Sequence, residues 1–213
     1  MLNTPQIILF GEPIERKSET KFLGLIIDDK LNWKSHANYV LGKVSRMVGV
    51  LSRIRNFINK PSLLTVYYSL IYSHMQHGII FWGSVCQSDF NKILIVQKKV
   101  LRVIEGIGYR DHCGHLFLKY NLLKLSDVRR LEMAKFIFYD INFLNVFNFQ
   151  NRETIHNFHT RNSSSLVLPY CRTNILLNSV FYAGVQFFNS LPNSLKSINS
   201  YPSFKFNLKR YLT

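Results

Sequence analysis

The chain has 213 residues, 47% of them hydrophobic and 14% aromatic, which is enough to bury a sizeable core and excludes a disordered tail. Lys and Arg number 27 against 12 Asp and Glu, a formal net charge of +15 that points to a polyanionic partner, nucleic acid before anionic lipid. Three scattered cysteines (Cys86, Cys113, Cys171) form no disulfide framework, and the apolar run Ile7 to Phe10 has no basic leader and is far too short to span a bilayer. A nuclear or cytoplasmic protein is expected, neither secreted nor in a membrane.

In chain order, Ile7 to Phe10 and Lys21 to Ile27 are short apolar runs separated by a polar stretch containing Gly11 and Pro13. They predict a small N-terminal β-hairpin. From Ser35 to Asn56, Ala37, Val40, Leu41, Val44, Met47, Val48, Leu51 and Ile54 share one arc of a helix, and Tyr39, Lys43, Arg46 and Arg53 share the opposite one. Asn59-Lys60-Pro61 ends that helix and starts a second, Pro61 to Gln76, which is apolar enough to be buried. Ser88 is the expected cap of a third helix reaching Glu105, with Lys92, Lys98, Lys99 and Arg102 outside its apolar arc. A fourth helix is expected from Asp111 to Tyr120, and a fifth, capped by Ser126, to Phe143. The fifth is apolar over so wide an arc that it is either central in the core or buried against something else. Residues 148–165 read as a loop, Leu166 to Leu177 as extended, and two short helices follow at Ser179 to Asn189 and Ser203 to Leu212.

Charge is distributed unevenly. Between Asp29 and Asp89 there is no acidic residue, while Lys30, Lys34, Lys43, Arg46, Arg53, Arg55 and Lys60 all fall there. After Glu153 there is again none, against Arg161, Arg172, Lys196, Lys205, Lys209 and Arg210. Helix faces of one sign repel themselves, whereas solvated faces usually mix signs in i,i+4 pairs. Phosphates would relieve that repulsion, with a steep salt dependence from counterion release.

The pair Asp28-Asp29 could belong to a two-metal site, but such a site needs a further carboxylate from another strand, and a strand-end turn is the preferred reading. His112, Cys113, His115, His156 and His159 have no finger-like spacing and no C-x2-C beside them, so no metal site is expected. P-loop, nucleophile-elbow and H-E-x-x-H motifs are missing, and no catalytic residue is assigned.

Lys21-Phe22-Leu23-Gly24-Leu25-Ile26-Ile27-Asp28, followed by Leu31, Trp33 and His36, resembles the stretch just after the catalytic palm in non-LTR retrotransposon (LINE-type, jockey-like) reverse transcriptases. The resemblance continues through His77-Gly78, Trp82-Gly83, Gln97-Lys98-Lys99 and Leu101-Arg102. It extends to Arg172-Thr173, Leu191-Pro192 and Tyr211-Leu212. It implies a primer-grip-like role for Phe22, Leu23 and Gly24, and a thumb that packs against the RNA/DNA hybrid. The family's F/Y-x-D-D hairpin is not in this sequence.

The expected fold class is therefore mainly α (α+β): a terminal palm hairpin at 1–30, a helical thumb-like bundle at 31–105, connecting helices at 106–147 and a small C-terminal helical lobe at 148–213. The expected function is that of a truncated RNA-directed DNA polymerase fragment whose partners are an RNA/DNA hybrid and the missing palm and fingers of the parent polymerase. Its expected nucleic-acid contacts are Tyr39, Lys43, Arg46 and Arg53, with Lys98, Lys99 and Arg102 as a second face. No cofactor is expected in this chain; Mg²⁺ is implied only for the complete polymerase. Alone the chain is expected not to catalyse. A domesticated, non-enzymatic nucleic-acid-binding protein and a nonfunctional pseudogene product are the alternatives.

Overall fold

The computed structural model describes residues 7–155 and 165–213. Two small antiparallel hairpins come first: β1 (Ile8–Leu9) with β2 (Glu12–Pro13), and β3 (Glu19–Phe22) with β4 (Leu25–Asp28). The run Lys21 to Ile27 is therefore not one strand. It reverses at Leu23 (φ 47°) and Gly24 (φ 83°), so Phe22 faces Leu25 across the second hairpin. The first run pairs with the residues just after it, through Phe10 (φ 53°) and Gly11 (φ 85°), instead of with the second run. Local turn geometry prevailed because four successive residues can close a hairpin with little loss of chain entropy.

The rest is helical: α1 (Lys34–Ile54), α2 (Lys60–Tyr67), a π-turn at Tyr68–Tyr72, α3 (Ser73–Gln76), α4 (Ile79–Trp82) and α5 (Gln87–Glu105). After them come α6 (Gly114–Lys119), α7 (Leu125–Tyr139) with a π-turn at Asp140–Leu144, and α8 (Arg152–Ile155). The C-terminal part contains α9 (Asn174–Leu177), a π-turn at Val180–Gly184, α10 (Val185–Ser190), α11 (Asn193–Lys196) and α12 (Tyr201–Leu212). The mainly-α reading with a small β portion holds.

Helix ends depart from the expected caps. Asn59 caps α2, its side chain accepting from the Ser62 N–H at 3.0 Å. Ser88 and Ser126, by contrast, lie inside α5 and α7, which start at Gln87 and Leu125 without a side-chain cap. The fourth helix begins only at Gly114, and the extended segment after Leu166 gives way to α9 at Asn174.

Helices α1 and α5 pack side by side and run in the same direction. Lys34 and Asp89 line one cavity at their starts, and Lys60 just after α1 reaches Glu105 at the end of α5. Val44, Leu51, Ile93 and Leu101 are fully buried in this layer. Behind it lies α7, whose broad apolar arc is explained by its place in the middle of the fold. It touches α3, α4, α5, α10 and α12, and Phe138 stacks on Phe204 at 4.1 Å. One continuous core results, running from Trp33 to Leu208. A buried amide holds its middle: Gln97 donates to the Tyr67 hydroxyl (3.0 Å) and the Leu123 carbonyl (2.9 Å) and accepts from the Leu125 N–H (2.9 Å). Leaving any of these buried groups unpaired would cost about 1–3 kcal/mol.

Candidate nucleic-acid interface

The β3–β4 hairpin is fixed to α1 by residues whose spacing is visible in the sequence but whose purpose is not. The Asp28 carboxylate accepts from the backbone N–H groups of Lys30 (3.1 Å), Asn32 (3.1 Å) and Trp33 (2.9 Å). These bonds hold Leu31 (φ 52°) and Trp33 (φ 62°) in left-handed conformations, each disfavoured by about 1–2 kcal/mol. Burial raises the affinity of Asp28 for a proton, but the N–H groups of Asn32, Trp33 and Lys30 outweigh it and keep the carboxyl below its ordinary range. A sharp turn into α1 is the result.

On the other side, the Ile26 N–H donates to His36 Nδ1 at 3.2 Å, and the His77 ring meets the Leu23 carbonyl at 3.0 Å. Gly24 and Gly78 make the close approach possible. A Cβ on Gly24 would sit 3.1 Å from His77 Nε2, and one on Gly78 would sit 2.5 Å from a Leu25 methyl.

This docking sets Lys21, on β3, against α1. Its ammonium lies 5.8 Å from the centre of the half-buried Tyr39 ring, and the Lys43 ammonium lies 5.5 Å from the same ring. Arg46 follows one turn on, exposed, its Nε donating to the Gly42 carbonyl (3.2 Å), and Arg53 is exposed two turns beyond that. Gly42 and Gly49 occur on the same helix, and a Cβ on either would meet nothing within 4 Å. Among the described residues, Lys21, Lys43, Arg46 and Arg53 have no carboxylate partner. Phe22 and Leu23 project from the adjoining turn, 60% and 77% exposed. The structure therefore brings together Lys21, Tyr39 and Lys43, with Arg46 and Arg53 continuing the strip. Lys21 was missed as a charge neighbour because only the docked hairpin places it there.

In the second predicted face Lys99 is exposed, and Lys98, Lys99 and Arg102 likewise have no carboxylate partner among the described residues. Arg102 is half-buried, its Nε donating to the Asp111 carbonyl at 2.8 Å, and the Lys99 ammonium lies 5.7 Å from the Tyr109 ring. Lys98 is half-buried.

A divalent-metal pair needs several carboxylates with free lone pairs. Asp28 is committed to the turn, Asp29 faces Arg16 at 3.7 Å, and no three His, Cys, Asp or Glu side chains converge among the described residues. These residues do not fit a Mg²⁺ site. Cys113 is buried, His112 and His115 are exposed with ring centres 6.2 Å apart, and His156 and His159 lie outside the described residues. Among the described residues, no helix is long and apolar enough to cross a membrane.

The site thus presents an aromatic ring, Tyr39, between two ammonium groups, with two exposed guanidinium groups further along the same helix. The chain is 30% identical over 127 residues to the RNA-directed DNA polymerase from the mobile element jockey of Drosophila melanogaster, covering 58% of this chain and 14% of the relative. It is 26% identical over 106 residues to the probable RNA-directed DNA polymerase from transposon X-element of the same fly, covering 48% and 12%. A Pol polyprotein from the type-1 retrotransposable element R1 of Bradysia coprophila matches at 29% over 94 residues, 43% of this chain and 9% of the relative. The sequence kinship is to the jockey-like reverse transcriptases of non-LTR retrotransposons. The matches to these polymerases cover about half of this chain, which spans only about an eighth of their length. No family model matches the sequence, and no solved structure matches the fold.

Proposed function

We propose that this chain serves reverse transcription by a jockey-like element, holding the RNA/DNA template–primer hybrid while phosphoryl transfer is performed by carboxylates that this sequence does not contain. The observation that carries the reading is the strip Lys21, Lys43, Arg46 and Arg53 around Tyr39, which has no acidic partner among the described residues and adjoins an exposed turn. Cations aligned along a helix suit the phosphates and sugars of an A-form-like hybrid, which are bound without reading bases. Tyr39 would pack against a sugar, and Phe22 and Leu23 would lie toward the primer end. Helices α1, α2 and α5 would act as a thumb. The exposed Ile8, Leu9, Phe10 and Ile14 of the first hairpin would be covered by the palm.

The test is fluorescence anisotropy of the full chain with a labelled RNA/DNA hybrid over a series of KCl concentrations. Affinity should fall steeply with salt, and Lys43→Ala with Arg46→Ala should weaken binding equally for unrelated sequences. Salt-independent binding, or a loss confined to one sequence, would contradict the reading. With Mg²⁺ and nucleotides the chain alone should extend no primer.

A further inference from the structure

A second charged site lies away from the α1 strip, in a cavity of about 580 Å³ between the start of α5, the middle of α7 and the segment from Asn178 to Ser190. Arg129 and Arg130 of α7 line it, with Ser84, Gln87, Ser126 and Gln186 among its polar groups. The side chain of Arg129 crosses the backbone of Gly83, where a Cβ would sit 2.8 Å from its Cδ and 3.0 Å from its Nε. Arg129 Nη2 donates to the Asn178 carbonyl at 2.5 Å, but Nε is buried without a hydrogen-bond partner among the described residues. Arg130 is already engaged, donating to Asp127 at 3.1 Å and lying 5.9 Å from the Phe187 ring.

The unusual feature is the charge balance. A guanidinium withdrawn from water is normally matched by a carboxylate, since desolvation without a counter-ion is costly. No carboxylate lines this cavity, and one wall comes from a part of the sequence that has no acidic residue after Glu153. The nearest acidic side chain on α5, Asp89, is held by Lys92 at 2.6 Å. Burial accordingly weakens the hold of Arg129 on its proton. The protein thus keeps a cation with no carboxylate partner among the described residues beside an open cavity, next to the Ser126 hydroxyl and the Gln186 amide, while the Ser84 hydroxyl donates to the Phe81 carbonyl (2.7 Å) and Gln87 to Asn91 (2.8 Å).

We infer that this cavity is an anion site in which Arg129, supported by Ser126, Gln186 and the second amide N–H of Gln87, receives a phosphate group. A planar guanidinium presents paired N–H donors that match phosphate oxygens, and hydroxyl and amide donors complete such a shell. The phosphate belongs either to a nucleic-acid strand or to a free phosphate compound. The inference does not depend on hybrid binding by α1, and the two fail separately.

The experiment follows thermal unfolding of the full chain during titration with inorganic phosphate, at ionic strength held constant with chloride. A ligand that binds only the folded state raises Tm saturably. Wild type should show a saturable rise, Arg129→Gln should lose it, and Arg129→Lys should keep part of it. Lys43→Ala with Arg46→Ala should keep it in full. Arg129→Gln should also unfold at a temperature no lower than wild type without phosphate, because it removes an unmatched charge, whereas a merely structural arginine would leave a less stable protein. A five-nucleotide single-stranded RNA acting at far lower concentration than inorganic phosphate identifies the strand as the source; equal or weaker action identifies a free phosphate. An equal, unsaturable rise in wild type and Arg129→Gln overturns the inference, as does saturable stabilisation by an acidic peptide but not by phosphate.

Discussion

Helices α1 and α5 lie side by side and each carries four Lys or Arg residues, yet they deploy them differently. α5 brings its own carboxylates. Asp89 takes Lys92 at 2.6 Å, Glu105 takes Lys60 at 3.0 Å, Lys119 at 2.8 Å and the Tyr120 hydroxyl, and Arg102 is turned onto the Asp111 carbonyl. α1 has no acidic residue, and among the described residues Lys43 meets the Tyr39 ring and Arg46 its own backbone. Among the described residues, α5 thus has Lys92 taken by Asp89 and Arg102 by a backbone carbonyl, with Lys98 and Lys99 left without a carboxylate, whereas none of the four α1 cations meets one. The position of the few carboxylates makes that difference.

The sharpest way to break the comparison is to remove cations in pairs. Lys43→Ala with Arg46→Ala should lower hybrid affinity by roughly tenfold or more and reduce the salt slope by about 2, whereas Lys98→Ala with Lys99→Ala should have a clearly smaller effect. Equal losses in the anisotropy titration would mean that both helices face the ligand alike. Next in size is the hairpin that brings Lys21 to α1. Gly78 has φ 62° and packs on Leu25, so Gly78→Ala should cost about 1–2 kcal/mol in urea unfolding. Unchanged stability would show that the interlock with Leu25 contributes nothing.

Glu105→Gln should cost about 1 kcal/mol at neutral pH, since solvent screens the surrounding ion pairs. The Lys119, Tyr120 and Lys60 donors hold the Glu105 carboxyl down at about 2, against an ordinary 4.5. Its contribution is therefore complete above the unfolded value and is lost as pH falls from 4.5 toward 2. His36, on the buried side of α1, acts in a different window. Burial, aided by the nearby His77, lowers its pKa from 6.5 to about 4, so the folded protein keeps it neutral while the unfolded chain takes up a proton. Stability should fall as pH drops from 6.5 toward 4, and His36→Gln should flatten the curve there with the smallest change at pH 7. A curve of wild-type shape in that variant would assign the acid loss to other groups.

The helices were largely legible because each amphipathic arc repeats over many turns, and both α1 and α5 occupy the ranges their arcs required. The hairpins were less so. Four residues around Leu23 and Gly24 carry no period long enough to separate a strand from a turn. The basic strip was readable for Tyr39, Lys43, Arg46 and Arg53, which share one helix face. It was not readable for Lys21, whose place depends on Asp28, His36 and His77 acting together.

The sequence by itself determined that long amphipathic helices would form, that the chain would be strongly basic, and that one helix would lack acidic neighbours. These are matters of local spacing and composition. Tertiary structure alone decided which cations lack a carboxylate among the described residues, which backbone N–H groups Asp28 accepts from in the turn the sequence suggested, and that Arg129 is left unmatched beside a cavity. Charge pairing and desolvation depend on which distant segments meet, and no local spacing records that.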